Sequence, residues 1–130
     1  ASYYVGCHDF AAFRATGSPP CCTERNIFES EVKREGELVV FRVLGDGFLY
    51  NMVRIMAGTL LYVSMGKLDA DSIPDIIQSK QRDRAGKTLP PVGLYLNNVY
   101  FEGEEGTDGF DTAYRQIIKA RRAAMDPDFD

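Results

Sequence analysis

Residues 48–63 read FLYNMVRIMAGTLLYV, and Arg54 is the only charge in that run. Leu49, Met52, Val53, Ile55, Met56, Leu60, Leu61 and Val63 cover nearly every face of a helix that turns roughly 100° per residue. A helix that is apolar all round is buried on most of its sides. A guanidinium inside it stays protonated and is costly to bury unpaired, so it needs an acid or a phosphate. Its helical neighbours three and four positions away are Tyr50, Asn51, Ala57 and Gly58, none of them acidic. Arg54 is therefore either a structural arginine, paired with a distant carboxylate or snorkelling to solvent, or a group held for a partner outside the chain. Asp46, between two glycines just ahead of the helix, is the best internal partner, although its ordinary role there is a turn residue.

With 130 residues the chain is long enough for one domain with a real core. A net charge of −4 argues against a protein that coats nucleic acid by bulk charge, while leaving room for a local basic patch. Arg54 interrupts the only apolar run that approaches membrane-spanning length. The opening ASYYVGCHDF has neither a basic region nor an apolar core of the signal-peptide kind, and it lacks an initiator methionine, as the inside of a longer protein would. Three cysteines, with Cys21 and Cys22 adjacent, suit free thiols in a reducing, cytoplasmic setting better than a disulfide framework. Cys7, His8, Cys21 and Cys22 match no common zinc spacing, so no metal is expected.

Local signals predict an α+β domain, an antiparallel sheet with helices packed on one face. Ala1 to Gly6 reads as the end of a helix begun upstream. His8 to Arg14 reads as a short helical turn with Phe10 and Phe13 on one side and Asp9 at its cap. Glu24 to Arg34 and Glu37 to Leu44 form two strands of a hairpin that turns at Glu35-Gly36. Gly45-Asp46-Gly47 breaks it and launches the Arg54 helix over 48–63, which Gly66 ends. Asp69 to Ser72 caps a second helix with Pro74 in its first turn, ending near Lys80. Leu94 to Glu102 reads as a third strand. Residues 104–130 form an acidic, glycine-rich linker and a basic amphipathic helix, Thr112 to Met125, outside a main domain of residues 1–103.

Few groups suit catalysis. His8 is the lone histidine, and no nucleophile–base pair or phosphate loop of known spacing occurs. Arginines and aromatics gather at Phe10, Phe13 and Arg14, at Tyr50 and Arg54, and at Arg82, Arg84 and Lys87, a pattern compatible with a phosphate-contacting face.

Three blocks are more specific. HDFAAFRA (His8 to Ala15), GFLYNMVRIMAGTLLYVSMGKL (Gly47 to Leu68) and KQRDRAGKTLPPVGLYLNNVYF (Lys80 to Phe101) resemble, in order and spacing, the C-terminal half of the bacterial tRNA pseudouridine synthase A family. The resemblance implies half of a pseudouridine-synthase-like fold. It also implies an isomerase that converts uridine to pseudouridine in the tRNA anticodon stem-loop without metal or organic cofactor. The family's catalytic aspartate sits in a Gly-Arg-Thr-Asp-x-Gly-Val-His-Ala-like motif of the N-terminal half, and no aspartate of this chain has such neighbours. By this resemblance Arg54 pairs with that absent aspartate, Leu94 packs against the target base, and Arg14, Arg82, Arg84 and Lys87 belong to the RNA-facing surface. The chain alone is then expected to be inactive. Its expected partners are tRNA, the other half of the enzyme and, in a homodimer, a second copy, with no membrane. The competing expectation is a non-catalytic RNA-binding or dimerisation module of the same fold.

Overall fold

The computed structural model describes residues 1–15 and 22–96. Three antiparallel strands lie in the order β1 (Gly6–Asp9), β2 (Glu24–Glu35) and β3 (Leu38–Gly45), so β2 is central. The hairpin between β2 and β3 closes at Glu35 opposite Leu38, and Gly36 takes φ 66°, the left-handed conformation a tight turn needs. β2 carries a bulge between Ile27 and Glu29. Ahead of it Ile27 faces the core; beyond it Ser30 and Val32, opposite Val43 and Phe41, take that side. Glu29, Glu31 and Lys33 face the other way, where Arg42 bonds Glu31 at 2.8 Å. The extra residue is why the strand alternates only loosely in sequence.

Two helices, α1 (Met52–Ser64) and α2 (Ile73–Ser79), cover the inner face. Met52, Ile55, Met56, Ile73, Ile76 and Ile77 meet Tyr4, Phe10, Phe13 and Ile27 in one core, with Phe41 and Val43 packed against it. Each fully buried aliphatic or aromatic side chain contributes roughly 1.5–3 kcal/mol. Tyr4 and Phe13 stack edge to face at 5.4 Å. The Tyr4 hydroxyl donates to the Met56 carbonyl at 3.0 Å. α1 ends in a Schellman motif: Gly66, φ 74°, donates to the Val63 carbonyl, and Lys67 donates to that of Tyr62. At α2 the Asp69 carboxylate accepts the Asp71 amide, Pro74 sits in the first turn, and Lys80 stops the helix at φ 57°.

Several expectations need correction. Ala1 to Gly6 is a 3-10 turn over Ser2–Tyr4, and Val5 at ψ 136° leaves the helical conformation before β1 begins at Gly6. His8 and Asp9 are in that strand, so the helical turn shrinks to Ala11–Phe13, although Asp9 still accepts the Ala11 amide at 3.0 Å. α1 starts at Met52 rather than Phe48, because Asn51 stands at φ 60°. Leu94, Tyr95 and Leu96 belong to no strand. The rest of the expected third strand, the linker and the Thr112 to Met125 helix lie outside the described residues, as does Cys21. Cys7 and Cys22 are free and exposed. Among the described residues no helix is long and apolar enough to cross a membrane.

Candidate functional site

The first turn of α1 places Arg54 half-buried on the helix flank that faces the loop after α2. Its Nε donates to the Leu89 carbonyl at 2.7 Å and its Nη1 to Asn51 Oδ1 at 2.9 Å. The Leu89 amide donates in turn to the Arg54 carbonyl at 3.3 Å, so one residue grips both the backbone and the side chain of this arginine. Among the described residues no carboxylate lies within ion-pair distance of the guanidinium. Asp46 is the turn residue: its carboxylate accepts the Asn26 amide at 3.0 Å, joining β2 to the end of β3.

The loop of residues 81–90 is pressed against α1 with no side chain in between. A Cβ on Gly58 would fall on the Lys87 carbonyl oxygen, and one on Gly86 would come within 2.6 Å of the Gly58 carbonyl. Buried Thr59 completes the seam, donating to the Ile55 carbonyl at 2.8 Å and accepting the Gly86 amide at 2.9 Å. Arg82 shapes the loop from inside: its Nη1 reaches the Gly86 carbonyl at 2.8 Å and its Nη2 the Thr88 hydroxyl at 3.2 Å. Arg84 and Lys87 on the same loop are exposed.

Arg14 follows the 3-10 turn that buries Phe13. The next residue, Ala15, donates its amide to the Tyr50 carbonyl at 3.1 Å, which ties this segment to the residue preceding Asn51. Tyr50 itself is exposed. Three stretches separated in sequence, 14–15, 50–54 and 82–89, are thus joined by backbone hydrogen bonds around the start of α1. Leu94 lies beyond them, after the Pro91–Gly93 turn, with 47% of its surface exposed, so it is no part of the closed core.

Sequence reasoning missed Asn51, Gly58, Thr59, Gly86 and Leu89. Gly58 had a readable signal, since a glycine inside a helix is unfavourable unless something packs there. The Leu89 contribution is a main-chain carbonyl, which no side-chain pattern reports. A shallow groove of about 290 Å³ between Tyr3, Val5, His8 and Ile77 contains none of the expected site residues. Among the described residues no three His, Cys, Asp or Glu side chains gather in a metal-binding arrangement.

The sequence that builds this β-hairpin, arginine-bearing helix and glycine-seamed loop has counterparts. Residues 1–102 match the family model for tRNA pseudouridine synthase. The tRNA pseudouridine synthase A of Acetivibrio thermocellus is 54% identical over 101 residues, 78% of this chain and 41% of that protein. The enzyme of the same name from Ruminiclostridium cellulolyticum is 52% identical over 102 residues, covering 78% and 42%. The tRNA pseudouridine synthase A 1 of Bacillus cereus is 46% identical over 99 residues, covering 76% and 40%. The chain belongs to the tRNA pseudouridine synthase family. It spans about two-fifths of the length of the curated relatives it matches.

Proposed function

We propose that this chain is the C-terminal half of a tRNA uridine-to-pseudouridine isomerase, which completes the active site without carrying the nucleophile. The observation that carries the reading is the guanidinium of Arg54, anchored by two neutral acceptors and facing no carboxylate among the described residues. An arginine held in that way is ready for an anion supplied from elsewhere. The catalytic aspartate of the other half is that anion. Arg54 keeps it ionised and oriented in a partly dry cleft, with no metal or organic cofactor.

Leu94 supplies an exposed apolar surface of the kind on which a uracil extruded from the anticodon stem-loop rests. Arg14, Arg84 and Lys87 carry charge at the phosphate-facing rim, and Arg82 shapes the loop that presents two of them.

Two measurements test the reading. Tritium release from tRNA labelled at uridine C5 is expected from the full-length enzyme and absent with the purified 130-residue chain. Turnover by this chain alone would overturn the division of labour. The gene sequence is expected to encode the Gly-Arg-Thr-Asp-like motif upstream of Ala1; finding that motif downstream of Asp130 would reverse the order of the halves.

A further inference from the structure

Asn51 precedes α1 in a conformation that asparagine tolerates better than other non-glycine residues, φ 60° and ψ 10°. Its carbonyl accepts the Ile55 amide at 3.0 Å, so it opens the helix as an N-cap. An asparagine there ordinarily turns its side-chain oxygen onto a backbone amide of the first turn. Asn51 makes no such capping bond; its Oδ1 accepts from Arg54 Nη1 at 2.9 Å instead. A left-handed backbone and a forgone cap at one residue serve one end, the orientation of the neighbouring guanidinium.

We propose that Asn51 is a positioning residue for Arg54, which rests on the reading that Arg54 serves the reaction. With Nε fixed on the Leu89 carbonyl and Nη1 on Asn51, the plane of the guanidinium is set and Nη2 is left to reach an incoming anion. The chemistry of the amide matters. It is an acceptor without charge, so it holds Arg54 and leaves its positive charge unneutralised. Aspartate at this position would hold it too, but as an internal ion pair competing with the anion Arg54 is there to meet. Glycine would adopt the same backbone and hold nothing.

The test uses the full-length enzyme and the variants Asn51→Gly, Asn51→Asp and Arg54→Ala. Asn51→Gly should lower kcat about tenfold or more with KM for tRNA within about twofold, since only positioning is lost. Asn51→Asp should lower kcat at least as far without lowering the melting temperature. Independently of activity, nitrogen-15 NMR of the Arg54 side chain should show faster rotation about the Cζ–Nη bonds in Asn51→Gly. Unchanged rotation in that variant, or full turnover by it, would overturn the proposal. Faster rotation combined with wild-type turnover by Arg54→Ala would leave Asn51 as the holder of the guanidinium and overturn the proposed role of Arg54 itself.

Discussion

Gly58 of α1 and Gly86 of the loop after α2 touch backbone to backbone, and neither position has room for a methyl group. Replacing either by alanine drives a Cβ into main-chain atoms that have no flexible end to swing away. Gly58→Ala and Gly86→Ala should each destabilise the protein by about 3 kcal/mol, although alanine is the better helix former at position 58. Urea denaturation with an unchanged m-value checks this; a neutral or stabilising Gly58→Ala would mean that the seam opens freely.

The same seam positions Arg54, because the loop it fixes supplies the Leu89 carbonyl. Lysine at position 54 keeps the charge but lacks the planar fork that reaches Leu89 and Asn51 together. Arg54→Lys should reduce turnover of the full-length enzyme on the order of a hundredfold with little loss of stability. Near-normal single-turnover rates would show that charge alone suffices.

Leu94 is half-exposed after the Pro91–Gly93 turn, so truncation removes little from the core. Leu94→Ala should change folding stability by no more than about 0.5 kcal/mol. If the side chain packs on an extruded base, the lost contact is worth about 1–3 kcal/mol and lowers the single-turnover rate. A collapsed melt with an unchanged rate per folded molecule would make Leu94 a packing residue only.

Asp9 contributes to the acid dependence of stability. The Thr23 hydroxyl at 2.6 Å holds its carboxyl below the usual value, helped by the Ala11 amide and by Lys80 at 3.6 Å and opposed by partial burial. A depressed carboxyl contributes stability above its unfolded pKa, near 4, and loses it as pH falls through the folded value. Asp9→Ala should therefore cost about 1–2 kcal/mol at neutral pH and show a shallower stability loss below about pH 4. Parallel acid slopes for wild type and variant would remove Asp9 from that account.

The elements legible in the sequence were those with local punctuation. The β2–β3 hairpin announced itself through Gly36, the end of α1 through Gly66, and the start of α2 through Asp69 and Pro74. β1 is not legible, and Gly6, His8 and Asp9 fall to the helical readings on either side, because four residues carry no period and only pairing with β2 makes them a strand. The start of α1 was misplaced by four residues because apolar periodicity runs straight through Asn51, whose backbone alone breaks the helix. Arg54 stood out as the residue in need of a partner. The acceptors that hold it did not, since one is a peptide carbonyl thirty-five positions away and the other an asparagine that a search for an acid passes over.

The bulge in β2 has a consequence for length. Phe28 is the additional residue between Ile27 and Glu29, and the two flanks of the strand already alternate in opposite phase around it. Removing that one residue restores simple alternation and keeps Ile27, Ser30 and Val32 together on one side. A gap at Ser30 would instead turn the remainder of the strand inside out, with Glu31 and Lys33 entering the core. Homologous chains that differ by one residue in this hairpin should therefore carry the gap at Phe28.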